Sequence, residues 1–256
     1  MSATVEGIPA DVERLNDAET RRLLEARPVL LLPIGAVESH GAHLPNGTDN
    51  ILARRLAEAL VERVAGRTPL LLLPMLPFGQ VWSLADAPGS FSLSNETVSR
   101  TLVEIGLAAQ AKGLLSMVVL NTHYGNAIAI CAAQRSLKEG GFLLAHFCYP
   151  GAGPTTDAVR ERPAAHPAFM HACEIETSYM LHLAPEFVRM EQAVENYPVF
   201  PDDFDEVAYR WREFSPSPVL GDARLATAAK GRRIIDAVLD RMVQLVASIH
   251  ARQTSG

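Results

Sequence analysis

Cysteine is scarce in this chain: Cys131, Cys148 and Cys173 are three among 256 residues, far apart and in apolar surroundings. An odd, dispersed set does not make a disulfide framework, so buried, reduced thiols are expected. No apolar stretch reaches ~18 residues without a charge, which excludes an ordinary membrane-spanning helix. Met1-Ser2-Ala3-Thr4-Val5-Glu6-Gly7 lacks the basic region and long apolar core of a signal peptide, so a cytoplasmic location is expected. A basic stripe is missing too: the formal net charge is -6 and the pI about 5.8, with Lys and Arg scattered apart from short patches such as Lys230-Gly231-Arg232-Arg233. Nucleic-acid binding needs such a stripe to neutralise phosphates, so a small-molecule partner is expected instead. Repeats and low-complexity tracts are absent as well. With 48% hydrophobic and 20% charged residues, the composition is that of an ordinary globular protein, and residues 1–256 fit one α/β domain.

What is present is a polar segment, Glu38-Ser39-His40-Gly41-Ala42-His43-Leu44-Pro45-Asn46-Gly47-Thr48-Asp49, directly after the apolar run Val29-Leu30-Leu31-Leu32-Pro33-Ile34. Two carboxylates and two imidazoles with glycines between them can converge on one point, the composition of a metal site. A continuous apolar run ending in glycine reads as a buried parallel strand, and ligands collect at the carboxyl ends of such strands. The alternative is an ordinary strand-to-helix loop in which Asp49 or Thr48 caps the next helix and the histidines are merely exposed. A second polar loop, Asn121-Thr122-His123-Tyr124-Gly125-Asn126, follows the apolar Met117-Val118-Val119-Leu120. Two strand-end loops carrying Glu, His, Asp and His would face each other across a parallel sheet, which makes joint coordination the simpler reading.

Further strands are expected at 70–73 and 142–148. Helices are expected at 11–26, from Asn50 to Val64 with Asp49 at its start, from Asn95 or Ser94 to about Gly113, at 127–138, and at 223–251. The Pro/Gly-rich loop 74–94 carries Trp82, a substrate contact or a packed aromatic. Residues 150–167 read as an irregular connection. A helix is expected from His171 to Leu183, with 171, 174 and 178 on one face and 172, 176 and 179 on another, so Glu174 or Glu176, not both, points to the site. Residues 185–222 mix prolines, acids and aromatics without a period and read as cover for an edge or a subunit contact.

These motifs together resemble the creatininase (creatinine amidohydrolase) family. The likeness rests on Leu32 to Gly41 with His43-Leu44-Pro45 and Thr48-Asp49, on Asn121 to Asn126, on His171-Ala172-Cys173-Glu174-Ile175-Glu176-Thr177-Ser178, and on Gly221-Asp222-Ala223 with Ala226-Thr227 through Lys230-Gly231. The resemblance implies a three-layer α/β/α sandwich around a mostly parallel sheet, a homohexamer, and two divalent metal ions per subunit, zinc with manganese or iron as alternatives. It implies Glu38, His40, Asp49 and His123 as ligands, with Asp49 bridging, and His171 as the catalytic proton carrier. Tyr124 and Trp82 are expected to contact substrate. Gly125 stands where creatininase itself has a glutamate ligand, and Glu176 is the candidate to complete the second metal site. The implied activity is opening of a small cyclic amide by attack of a metal-bridging hydroxide. Cleavage of a C–C bond in a cyclic ketone of the inosose type and a non-catalytic family member are the alternatives.

Overall fold

The computed structural model describes residues 4–5 and 8–254. The reading of residues 1–7 as free of a signal segment lies largely outside the described residues. A short antiparallel pair, β1 (Thr4–Val5) and β2 (Ile8–Pro9), precedes α1 (Asp17–Glu25). Asn16 caps α1: its side chain accepts from the N–H groups of Ala18 and Glu19, and the Glu19 carboxylate accepts in return from the Asn16 N–H.

The chain then runs through β3 (Val29–Ile34), α2 (Thr48–Val64), β4 (Leu70–Leu72), α3 (Asn95–Gln110), β5 (Ser116–Asn121), α4 (Ala127–Glu139) and β6 (Leu143–Phe147). The four longer strands form one parallel sheet in the order β4-β3-β5-β6. Alternate residues of a strand face opposite sides, and here both sides are covered, which is why β3 and β5 read as unbroken apolar runs. Val29 and Leu31 pack against Leu52, Leu56 and Leu60 of α2, together with helices from the second half of the chain. Leu30, Leu32 and Ile34 pack on the other side against Val98 and Leu102 of α3 and Ile130 and Ala133 of α4. Each such fully buried aliphatic side chain contributes ~1.5–3 kcal/mol. The mostly parallel sheet with helices on both faces is the expected architecture.

The strand order fixes where a site can form. From β3 the chain crosses through α2 to β4 on one side, then through α3 to β5 on the other, so the order reverses between β3 and β5. Their carboxyl ends lie side by side, with Ile34 paired to Asn121, and the loops leaving them diverge to opposite faces and open a crevice.

The remaining elements are α5 (Ala152–Val159), α6 (Glu174–Leu183), β7 (Glu195–Asn196), α7 (Trp211–Phe214), β8 (Gly221–Asp222) and α8 (Ala228–Thr254). Among the described residues no helix is long and apolar enough to cross a membrane. Two boundaries differ from the sequence reading in ways that matter. Helix α5 forms inside the connection expected to be irregular, because Pro154 falls in its first turn, where no intrahelical N–H bond is lost. Helix α6 begins at Glu174, after Ala172 has taken a left-handed conformation at φ 48°, so His171 is not helical and the helical-face argument that separated His171 from Glu176 does not apply. Helix α8 crosses α6 at Gly231, where a Cβ would lie 1.9 Å from the Ser178 carbonyl oxygen. That close approach packs α6 against α8, which lies against β3 and β5.

Candidate metal centre

Six buried side chains meet at the crevice. Glu38 and His40 come from the loop after β3, Asp49 from the first turn of α2, His123 from the loop after β5, His171 from the strand-like segment before α6, and Glu176 from the first turn of α6. Their ligating atoms form three overlapping groups: Glu38, Asp49 and His123; His40, Asp49 and Glu176; and Glu38, His40 and His171. Glu176, not Glu174, faces the site. Glu174 instead pairs with Lys230 at 2.6 Å.

Asp49 sits one residue inside α2, whose N-cap is Gly47 with no side-chain cap bond. Its carboxylate is thus not used as a cap, contrary to the sequence reading that allowed one. Asp49 Oδ2 lies 3.3 Å from His123 Nδ1, and Oδ1 lies 3.7 Å from His40 Nε2. The two oxygens are turned to two different groups. The Thr122 hydroxyl donates to the Asp49 carbonyl at 2.7 Å and ties the β5 loop to the start of α2.

The imidazoles are oriented from behind. His123 Nε2 donates to the Gln80 carbonyl at 2.6 Å, His171 Nδ1 to the Pro218 carbonyl at 2.6 Å, and His40 Nδ1 to the Glu38 carbonyl at 3.1 Å. A carbonyl can only accept, so each of those ring nitrogens carries the proton, and in the neutral ring the opposite nitrogen presents a lone pair to the carboxylates. His123 Nδ1 faces Glu38 Oε1 at 3.1 Å, and His171 Nε2 faces the same oxygen at 3.0 Å. Acceptor facing acceptor is repulsive unless a proton or a cation lies between.

The residues fit a metal. His40 Nε2 and Asp49 Oδ2 are buried without a hydrogen-bond partner, a costly state for polar atoms away from water. Two donors on one tetrahedral ion at ~2.1 Å lie ~3.4 Å apart, and the separations here run from 3.0 Å between His171 and Glu38 to 3.8 Å between His40 and Glu176. In the chain alone, protons take the cation's place. Burial works against a charged His171, but the Glu38 carboxylate outweighs it and raises the imidazole to about 9. Burial likewise opposes charge on His123, and Glu38 and Asp49 overcome it. Burial pushes Glu38 up, and the two imidazoles bring it well below the usual carboxylate range. Glu176 is pushed up by burial.

Gly125 has a structural reason. A Cβ there would lie 2.3 Å from both the Gln80 carbonyl oxygen and His123 Nε2, so the hydrogen bond that orients His123 occupies the space a larger residue would need.

Above the cluster opens a pocket of about 380 Å³ with Glu38, Asp49, His123, His171 and Glu176 in its base. Tyr124 and Trp82 line it. So do Phe169 and, from the segment that the sequence reading assigned to a general cover over an edge or a subunit contact, Phe204, Trp211 and Phe214. They wall the site itself. The Trp211 ring lies 4.9 Å from that of His171, which is stacked 4.4 Å from His40. The Arg210 guanidinium lies 4.2 Å over the Trp82 ring and its Nη1 donates to the Trp82 carbonyl, joining the loop after β4 to the segment before α7. The density of aromatics at 197–214 was the available signal for this wall.

Fold and site define a class: a parallel α/β/α protein with a buried carboxylate–imidazole cluster at its topological switch point. The sequence matches the creatininase family, described as creatinine amidohydrolase, over residues 13–246, and the chain belongs to that family of hydrolases. It is 32% identical over 247 residues to a mycofactocin precursor peptide peptidase of Mycobacterium tuberculosis, covering 92% of this chain and 91% of that one. It is 26% identical to a 3-dehydro-scyllo-inosose hydrolase of Thermotoga maritima, with 93% and 83% covered, and 27% identical to a creatinine amidohydrolase of Pseudomonas putida, with 81% and 84% covered. Among solved structures, a manganese creatininase and a Zn–Zn form of a creatininase variant share the fold at a TM-score of 0.82 and 24% identity, with 94% of this chain and 98% of theirs covered.

Proposed function

We propose that this chain is an amidohydrolase that works with two divalent ions, one held by Glu38, Asp49 and His123 and the other by His40, Asp49 and Glu176. The observation that carries the reading is the division of Asp49: each oxygen faces a different group of candidate ligands, 3.3 Å from His123 Nδ1 and 3.7 Å from His40 Nε2, with each facing imidazole fixed from behind by a carbonyl. The placement of Glu176 in the group with His40 and Asp49 supports it as the ligand that Gly125 does not supply, and weighs against a non-catalytic reading. Bound there, divalent ions would supply a hydroxide at neutral pH and polarise a carbonyl.

The chain's own residues would do the rest. His171, held by Pro218 and beside Glu38, is placed to carry a proton to the departing nitrogen. The Trp211 ring lies beside that of His171. Zinc, manganese and iron all suit the donor set. The hexamer belongs to the same reading, supported by large apolar side chains left exposed, Phe91 and Ile128 among them.

The expected substrate was a small cyclic amide. The aromatic walls now favour an amide flanked by an apolar or aromatic group, and the likeness to a peptide peptidase supports a peptide-type bond. A polyol ring of the inosose type needs hydrogen-bonding partners around its whole edge, and here Gln80, Ser83, Tyr124 and Tyr209 stand among a wall that is mostly apolar and aromatic. The test is a panel of cyclic amides, short peptides with aromatic residues and cyclic polyol ketones, incubated with protein supplied with Zn or Mn. Release of amine from amides, absent in Glu176→Gln, is the expected result; turnover confined to the ketones would refute amide hydrolysis.

A further inference from the structure

A second cavity of about 280 Å³ adjoins the first. Tyr124, Phe169 and Met170 line both, so they form the partition, and the far chamber is bordered by Tyr149, Thr156, Arg160 and Tyr179. Two features there are unaccounted for by the metal centre. The Tyr149 side chain is 5% exposed and its hydroxyl is buried without a hydrogen-bond partner. Arg160, half-buried at the end of α5, makes no ion pair and no side-chain hydrogen bond with the described residues. Asp157, three residues earlier on the same helix, borders the cavity too, and it is exposed and unpaired with Arg160.

We propose that this chamber binds a carboxylate of the substrate through the Arg160 guanidinium and the Tyr149 hydroxyl. An unpaired guanidinium matches a carboxylate with two parallel donors, and a phenol adds a third. Tyr149 stands in the left-handed region at φ 45°, a conformation rarely taken by residues other than glycine, and its ring packs 4.9 Å from Tyr179. Those constraints fix the ring beside the cavity, with the hydroxyl buried behind its lining. The two chambers act on each other electrically: the charges of Glu176 and Asp49 reach the Tyr149 hydroxyl, and that of Arg160 reaches Tyr124. Arg160 offers a carboxylate a cation at the end of the paired chambers away from the cluster, and that separation orients the ligand. The ligand class is an acylated amino acid or a short peptide end: carbonyl toward the cluster, apolar side chain against Phe169 and Trp211, free carboxylate at Arg160.

The inference rests on the amide-hydrolase reading for this orientation, and its test does not need turnover. Trp82 and Trp211, both tryptophans of the chain, line the first pocket, so their fluorescence follows its occupancy. The full-length protein as purified is titrated with N-acetyl-L-phenylalanine and with N-acetyl-L-phenylalaninamide, which differ by the carboxylate alone. Wild type is expected to prefer the acid. Arg160→Gln should weaken the acid about ten- to a hundredfold, the effect of losing hydrogen bonds to a charged group, and leave the amide unchanged. Tyr149→Phe, which keeps the buried ring, should weaken the acid about threefold to tenfold. Equal affinity of the two probes for wild type would overturn the proposal. So would an acid preference that survives Arg160→Gln, which would put the carboxylate at the metal centre, or loss of both probes together, which would assign Arg160 to folding. A chain that prefers the acid and hydrolyses no amide would leave the subsite standing and sink the hydrolase reading.

Discussion

The base of the site and its wall are built in opposite ways. The base stands at the carboxyl ends of β3 and β5 and the first turns of α2 and α6, where every ligand is buried and every facing imidazole is pinned by a backbone carbonyl. The wall comes from the loop after β4 and the irregular segment around α7, where Trp82 is 39% exposed and aromatic rings hold one another. Rigid elements fix the chemistry, and adaptable backbone sets what fits above it. Substitutions in the base should therefore strike metal and turnover, and substitutions in the wall should strike affinity alone.

The largest effect is expected for Asp49→Asn, which weakens both ion sites at once. Turnover should fall about a thousandfold or more, the equivalent of several kcal/mol of lost charge stabilisation, with metal content falling alongside. Gly125→Ala tests the layer behind the ligands. Its Cβ would displace Gln80 from His123, and competition with a chelator should show metal affinity lower by about ten- to a hundredfold. Trp211→Ala is the matched test of the wall: KM should rise about tenfold, as for a lost aromatic contact, while elemental analysis finds the metal unchanged. A large loss of metal in that variant would break the contrast between base and wall.

The smallest effect is a pH dependence of the metal-free protein. His171 is raised from 6.5 to about 9 in the fold, so its contribution to stability is fully present below pH 6.5 and is lost as pH rises through 9. His123 shifts in the same direction. Chelated protein should therefore unfold at lower temperature at pH 9.5 than at pH 6.5. The stabilisation gained on adding metal should grow over the same range, since the ions no longer compete with protons. A melting temperature of the chelated protein that rises across that window would contradict the assignment of Glu38, His123 and His171 to one charged cluster.

The same division explains what could be read in the sequence. Glu38, His40, Asp49 and His123 follow unbroken apolar runs, and the period of a buried strand points to where such loops emerge. Helical spacing left the choice between Glu174 and Glu176 open, and only the family resemblance pointed to Glu176, because the spacing was counted from His171, whereas Ala172 turns left-handed and α6 starts only at Glu174. Helix α5 was hidden by its glycines and proline. Phe204, Trp211 and Phe214 lie on backbone without a period, so their side chains have no face that spacing can assign. Arg160 and Tyr149 become notable only when the partners they lack can be counted.

The account's central claim is that Glu176 completes a second ion site beside the one at His123. Metal content per subunit, measured by elemental analysis on wild type and Glu176→Gln side by side, tests it most directly. The prediction is about two ions in wild type and about one in the variant, as expected when one ligand of a metal group is lost. Two ions in both proteins would contradict the role of Glu176, and none in wild type after supplementation with Zn or Mn would contradict the metal centre as a whole.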